Sequence, residues 1–114
     1  MKDFGTHILL DLYGVNEESL KNLEELEKVL TKAAIEAKAT ILHTYFHKFG
    51  GAGGVTGLIA LSESHISIHT WPENKYAAID IYMCGNSSPE KAMYYIKDVL
   101  KPQRSDFKKI IRGN

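Results

Sequence analysis

Polar and apolar residues alternate along six segments of this chain and recur at helical spacing along two others. The alternation predicts strands over residues 4–13, 39–49, 56–61, 65–70, 76–83 and 107–112. A first helix begins at an Asn16 cap, and its leucines and alanines keep one apolar face as far as Ala37 with no internal breaker. Ser88 and Pro89 suit the cap and first turn of a second helix. The pattern predicts an α/β fold of the α+β type, in one domain spanning residues 1–114.

The predicted strands have two unlike faces. Within residues 65–70, polar residues occupy one face, while Ile66 and Ile68 occupy the other. The same alternation places these residues on polar and aromatic faces: His43, Tyr45, His47, Phe49, His65, Ser67, His69, Asp80, Tyr82 and Cys84. Such a surface is too polar for a core and too aromatic for a plain solvent face. The prediction is a two-layer sandwich, a mainly antiparallel sheet with two helices on one face, whose other face meets a second subunit.

Composition narrows the possible partners. The 114 residues carry 14 basic and 14 acidic side chains, and this zero net charge disfavours nucleic acid and anionic membrane surfaces. The first residues lack a signal-peptide pattern and no apolar run approaches a bilayer span, so a cytoplasmic protein is expected. Cys84 is the only cysteine and cannot form an internal disulfide, so it is either a small buried side chain or a working thiol.

The candidate chemistry is concentrated between residues 61 and 85, where a hydroxyl, an imidazole and the only thiol are expected close together. Ser64 lies between Glu63 and His65 at a predicted bend. Its hydroxyl could attack the Glu63 carbonyl and convert the amide to an ester. Loss of the Ser64 α-proton would eliminate that ester and leave, after hydrolysis, a pyruvoyl group, an electrophilic ketone that forms a Schiff base with an amine. Spacing alone favours an ordinary turn or strand serine.

Two other patterns favour ordinary roles. Four of the histidines form pairs four residues apart, at positions 43 and 47 and at 65 and 69. Strand residues at this spacing are too far apart to chelate one ion easily, so no metal site is predicted. The glycine-rich loop over residues 50–54 lacks the lysine and hydroxyl residue of a phosphate loop. It is predicted to be a flexible rim that shapes the substrate entrance.

One motif is long and specific. It reads SESHISIHTWPE from Ser62 to Glu73 and continues as YAAID at residues 76–80 and as Cys84-Gly85. Together with residues 5–7, 39–41 and 46–49, it resembles the prokaryotic S-adenosylmethionine decarboxylase proenzymes over most of the chain. This resemblance implies a self-cleaving decarboxylase that makes decarboxylated S-adenosylmethionine, the aminopropyl donor of spermidine and polyamine biosynthesis.

The resemblance also implies residue roles. Cleavage of the Glu63–Ser64 bond would give residues 1–63 (the family's β chain) and 64–114 (its α chain), with Ser64 becoming the pyruvoyl cofactor. His69 would act as the base in processing. Cys84 would protonate the product carbon, a role that suits a group mostly protonated at neutral pH, as thiols are. The implied assembly is a homodimer with helices outside and sheets between, an αββα arrangement.

Thr56 departs from the family pattern. Most members of this family have a serine that helps processing at this position. Threonine keeps the hydroxyl, but its methyl group restricts the rotamer, so slower processing is expected. The glycine loop before Thr56 is also one residue longer than in typical members.

Two substrate-binding residues are predicted for S-adenosylmethionine. Phe49 is expected to contact the adenine ring by stacking and the sulfonium by cation–π attraction, with Tyr45 or Tyr82 as weaker candidates. Glu73 is expected to accept hydrogen bonds from the ribose hydroxyls. If they have no role in binding, Phe49 is a core residue and Glu73 a solvated turn residue.

Two alternatives remain open. The same pyruvoyl chemistry serves arginine or ornithine decarboxylases, because pocket residues away from the reacting end choose the substrate. In a different class, the chain would be an unprocessed regulatory or ligand-binding homologue. The joint presence of Ser64, His69 and Cys84 argues against that second alternative, since a purely structural partner requires none of them.

Overall fold

The computed structural model describes residues 4–113, which form one six-stranded sheet and three α-helices. The strands are β1 (Gly5–Tyr13), β2 (Ile41–Lys48), β3 (Val55–Leu61), β4 (Ser64–Trp71), β5 (Tyr76–Met83) and β6 (Arg104–Arg112). The helices are α1 (Glu17–Lys21), α2 (Leu23–Glu36) and α3 (Pro89–Leu100), and a 3-10 turn spans Pro72–Asn74. Each predicted strand is therefore present, with ends displaced by up to three residues.

The sheet is antiparallel throughout, in the order β2-β3-β4-β5-β1-β6. The short β3–β4 turn and the residue that follows β5 lie at one end of the sheet. The β2–β3 loop and the β4–β5 connection lie at the other end. This topology decides which candidate residues share an end, because Ser64 begins β4 and His69 lies near the end of the same strand.

The helices cover one face of this sheet. Alternate strand residues and the apolar stripes of the helices form a single buried cluster, which includes Ile8, Leu10, Ile66, Ile68, Ile79, Ile81, Leu26, Leu30 and Ile96. Burial of these branched side chains supplies most of the driving force for folding. The predicted division into an apolar and a polar sheet face is confirmed in β4, where Ile66 and Ile68 are fully buried. Within residues 4–113, no helix is long and apolar enough to cross a bilayer.

The predicted first helix is wrong in one respect, because it is two helices. Asn22 ends α1 and begins α2, with extended backbone angles of φ −90° and ψ 95°. Its side-chain oxygen accepts a hydrogen bond from the Glu25 N–H at 3.1 Å, as an N-cap does. Leucines at 20, 23 and 26 keep helical spacing across the break, which hid it from the sequence pattern.

Replacing Asn22 by alanine is expected to destabilise the fold by about 1 kcal/mol, because the first turn of α2 loses its capping acceptor. An Asn22→Asp variant retains a side-chain oxygen at this position and is the matched control, expected to stay close to the unsubstituted chain. Urea denaturation of the three proteins measures the difference. Equal midpoints for the alanine and aspartate variants would show that this cap contributes no stability.

The second sheet face is open in the single chain. It exposes Leu9, Tyr45, Leu58, Trp71 and Ile110, each at least 36% accessible. These apolar residues are interspersed with histidines and carboxylates of the same face. Several large exposed apolar residues on one sheet face are more typical of an interaction site than of a solvated face.

Candidate active site

The candidate cleavage point lies in the β3–β4 hairpin. Leu61 pairs with Ser64, so Ser62 and Glu63 alone form the turn. Two-residue hairpin turns usually contain glycine or asparagine at positive φ, because such turns match the twist of the strands. Neither turn residue has a positive φ here, whereas Ser64 has a φ of +150°. A serine with this φ is strained, and the strain adjoins the Glu63–Ser64 peptide bond.

The carbonyl oxygen of Glu63 accepts two hydrogen bonds from Cys84, the residue after β5. The backbone N–H of Cys84 donates over 3.2 Å, and its thiol donates over 3.1 Å. Two donors on one carbonyl polarise its carbon and stabilise negative charge on its oxygen, as in an oxyanion hole. The two donors of Cys84 therefore polarise the carbonyl carbon that precedes Ser64. The serine and the thiol lie at the same end of the sheet, as expected from the sequence.

The imidazole of His69 lies at the far end of β4 from Ser64. His69 is five residue steps beyond Ser64, a distance of about 16 Å along an extended strand. The expectation that hydroxyl, thiol and this imidazole lie close together therefore fails within one chain. Thr56 pairs with His69 across β3 and β4, and its Oγ1 lies 3.1 Å from His69 Nδ1. The Thr56 hydroxyl is therefore within hydrogen-bond distance of the His69 imidazole.

Phe49 and Glu73 lie at the same end of the sheet as His69. Phe49 directly follows β2, packs its ring edge-on against His47 with 4.6 Å between centroids, and leaves 53% of its surface exposed. Glu73 is exposed in the 3-10 turn after β4. Both side chains are accessible enough to contact a ligand, and neither is a core residue.

The candidate residues therefore form two groups at opposite ends of one sheet. The cleavage group is Glu63, Ser64 and Cys84. The glycine-loop group is Phe49, Thr56, His69 and Glu73. The glycine-rich loop over residues 50–54 is closed by a 2.8 Å hydrogen bond from the Phe49 N–H to the Gly54 carbonyl. Gly51 and Gly53 adopt φ values of +68° and +84°, which other residues rarely tolerate.

A cluster of ionisable side chains occupies the open face near the cleavage group. It consists of His7, His65, Asp80, Tyr82 and Arg112. Nε2 of His7 lies 3.3 Å from Asp80 Oδ1, although it is buried and its geometry is not that of a hydrogen bond. Burial, and then the neighbouring His7, lower the pKa of His65; Asp80 opposes this shift and Arg112 adds to it. A neutral His65 is easier to cover with a partner than a charged one.

The backbone amide of Thr40 contacts the cleavage group in a way that no sequence pattern indicates. It donates to Glu63 Oε1 over 2.9 Å, from a residue 23 positions away. Side-chain motifs carry no information about a backbone donor, so only the register of β2 against β3 reveals it. Of the cluster around His7, the sequence pattern indicates a binding role for Tyr82 alone.

The cleavage group fits a pyruvoyl precursor. Its serine is strained, and the preceding carbonyl is polarised by two donors on one oxygen. Metal ligation has no comparable support, because residues 4–113 contain no group of three or more His, Cys, Asp or Glu placed to hold an ion. The geometry therefore favours covalent chemistry at the Glu63–Ser64 bond over metal ligation.

Known proteins resemble this chain over nearly its whole length. The family model described as S-adenosylmethionine decarboxylase matches residues 6–113. An S-adenosylmethionine decarboxylase proenzyme of Thermosipho melanesiensis is 45% identical, covering 99% of this chain and 87% of that protein. One from a Sulfurihydrogenibium species is 50% identical, covering 98% and 84%. The crystal structure of the adenosylmethionine decarboxylase from Aquifex aeolicus superimposes with a TM-score of 0.93 at 40% identity, covering 100% of this chain and 94% of that one. The chain belongs to the S-adenosylmethionine decarboxylase family.

Proposed function

We propose that this protein is a self-cleaving, pyruvoyl-dependent S-adenosylmethionine decarboxylase that acts as a cytoplasmic homodimer. Its product would be decarboxylated S-adenosylmethionine, the aminopropyl donor for spermidine and other polyamines. The observation that carries the proposal is the Glu63 carbonyl, held by both donors of Cys84 next to a strained Ser64. A structural or regulatory subunit has no need to polarise that one carbonyl.

Self-cleavage would begin at this carbonyl. The Ser64 hydroxyl oxygen adds to the Glu63 carbonyl carbon, the carbon–nitrogen bond breaks, and the Ser64 nitrogen takes up a proton. A base then removes the α-proton of Ser64, and the Glu63 carboxylate leaves as the ester is eliminated. Water hydrolyses the resulting enamine to the ketone and releases ammonia. The products are residues 1–63 and residues 64–114, the second beginning with the pyruvoyl group.

The base for this elimination would come from a second copy of the chain. His69 is about 16 Å from Ser64 along β4, too far for proton transfer within one chain. A two-fold axis that stacks two open faces with their strand ends exchanged would bring the glycine-loop group of one copy to the cleavage group of the other. The exposed apolar residues of the open face, among them Leu58 and Trp71, support such a contact. The dimer would thus contain two composite sites.

In the mature enzyme, the pyruvoyl group would supply an electrophilic carbonyl that binds the substrate amine and accepts electrons as carbon dioxide departs. Cys84 would hold the proton delivered to the substrate α-carbon, because its sulfur lies 3.1 Å from the carbonyl oxygen of Glu63, the residue before Ser64. Phe49 would cover the adenine ring or the sulfonium, and Glu73 would accept hydrogen bonds from the ribose hydroxyls. Thr56 would orient His69 through the Nδ1 contact.

Intact mass spectrometry under denaturing conditions, followed by borohydride reduction, tests this proposal. We expect two fragments, residues 1–63 and 64–114, and a gain of two hydrogens in the second because its terminal ketone is reduced. A Ser64→Ala chain is the control and should stay whole. Turnover of S-adenosylmethionine, arginine and ornithine on one cleaved sample then identifies the substrate. Activity on arginine or ornithine alone, or a chain that never cleaves, would contradict the proposal.

A further inference from the structure

We infer that the Glu63 side chain is a positioning residue for self-cleavage: its carboxylate, bound by the Thr40 backbone amide, holds the Glu63 carbonyl in place against Cys84. This inference rests on the proposed self-cleavage and assigns a task to the side chain on the amino-terminal side of the cleaved bond. The side chain itself takes no part in bond making or breaking.

Two hydrogen bonds connect Thr40 with the turn. The Thr40 N–H donates to Glu63 Oε1 over 2.9 Å, and the Ser62 N–H donates to the Thr40 carbonyl over 2.9 Å. Thr40 directly precedes β2, whose first residue, Ile41, pairs with Leu61 at the end of β3. The β2–β3 ladder is therefore extended by one residue, and the carboxylate binds the last amide of that extension.

Glu63 is consequently held from two directions. Its side chain is bound to Thr40, before β2, and its carbonyl is bound to Cys84, after β5. Between these anchors the turn contains no glycine and the next residue, Ser64, has a strained φ of +150°. Rotation of the Glu63–Ser64 peptide would relieve the strain, but it would also draw the carbonyl away from Cys84. The carboxylate anchor opposes that movement, because it fixes the residue to which the peptide belongs.

The anchor matters most in the first chemical step. As the Ser64 oxygen bonds to the Glu63 carbonyl carbon, the carbonyl electron pair moves onto its oxygen, and the Cys84 donors must already be aligned with that oxygen. A carbonyl that samples other orientations reaches this alignment less often. Losing one partly exposed, charge-assisted hydrogen bond corresponds to about a threefold to tenfold slower reaction.

Rates of self-cleavage test the inference directly, with and without hydroxylamine. Hydroxylamine cuts the ester formed after the first step, so cleavage in its presence reports ester formation independently of the later elimination. Wild type, Glu63→Ala and Glu63→Gln chains would be followed by mass spectrometry from synthesis onward. Glu27→Ala is the matched control. The Glu27 carboxylate also accepts a hydrogen bond from a threonine, Thr44, but this residue lies within β2 and is remote from the cleaved bond.

We expect Glu63→Ala to cleave about three to ten times more slowly, with and without hydroxylamine, and Glu63→Gln to stay within about twofold of wild type, because its amide oxygen keeps the acceptor. Glu27→Ala should match wild type. Thermal denaturation in an uncleavable Ser64→Ala background should show that Glu63→Ala leaves the fold intact. The inference alone is overturned if the Glu63→Ala chain cleaves at the wild-type rate without hydroxylamine. It is also overturned if this chain reaches the wild-type rate only when hydroxylamine is present. A wild-type chain left whole even by hydroxylamine overturns the proposed function as well.

Discussion

Co-expression of a Ser64→Ala chain with a His69→Ala chain is expected to restore self-cleavage that neither chain shows alone. The reason is the separation of the two residues by about 16 Å along β4, which would place them in different composite sites of the proposed dimer. In a mixed dimer, one site combines the intact Ser64 of one copy with the intact His69 of the other, while the second site lacks both. Random pairing makes half of all dimers mixed, so about a quarter of all chains should be cleaved.

Distinguishable tags on the two chains allow mass spectrometry to assign each fragment. Only the His69→Ala chain should be cut, since only it retains Ser64. The control is a mixture of Ser64→Ala with a chain carrying both substitutions, in which no composite site is complete and no cleavage is expected. Absence of cleavage in the first mixture, with mixed dimers demonstrated by pull-down, would contradict the shared site and require His69 to act within its own chain.

Removing the thiol of Cys84 is expected to impair two reactions to different extents. Cys84→Ala loses one of the two donors to the Glu63 carbonyl, so self-cleavage should slow by at least about tenfold. Some cleavage should remain, because the backbone N–H still donates to this carbonyl. The same variant also loses the proposed proton donor of the decarboxylation, and its turnover per pyruvoyl group should fall by about 100-fold or more. Mass spectrometry over time measures the self-cleavage rate. Carbon dioxide release, divided by the amount of pyruvoyl group in the sample, measures the turnover.

Cys84→Ser separates the two tasks. A hydroxyl still donates to the Glu63 carbonyl, so cleavage should remain close to wild type, but a hydroxyl is a far weaker acid than a thiol and turnover should stay low. Equal losses of cleavage and turnover in the serine variant would instead indicate that the substitution disturbs packing around the cleaved bond.

Much of the fold follows from local chemistry. Alternation in β4 and β5 gave the correct strands and the correct buried face, because a sheet with one covered side imposes a period of two on its sequence. The break at Asn22 did not follow, because the leucines on both sides remain in helical phase and asparagine is compatible with a helix interior as well as with a cap. Alternation thus specifies faces better than it specifies where a helix ends.

The site was only partly predictable for a related reason. The sequence indicates Ser64 and Cys84 by their reactive side chains, a hydroxyl and a thiol. Both residues lie at the end of the sheet that carries the cleavage group. The distance between Ser64 and His69 was implicit in their five-residue spacing on a strand, but nearness in sequence suggested nearness in space. The Thr40 contact could not be predicted at all, because it depends on the pairing of β2 with β3 and on a backbone group common to almost every residue.

The strand order has a thermodynamic consequence for the proposed mature protein. Cutting after Glu63 assigns β1, β2 and β3 to one fragment and β4, β5 and β6 to the other, yet β1 lies between β5 and β6, and β3 lies beside β4. Three of the five strand pairings would then join separate polypeptides. Unfolding each protomer of the cut protein releases two fragments instead of one chain, so the melting temperature of the cut dimer should rise more steeply with protein concentration than that of the uncut dimer. Maturation would thereby convert a chain able to refold by itself into one whose refolding depends on its two fragments meeting again.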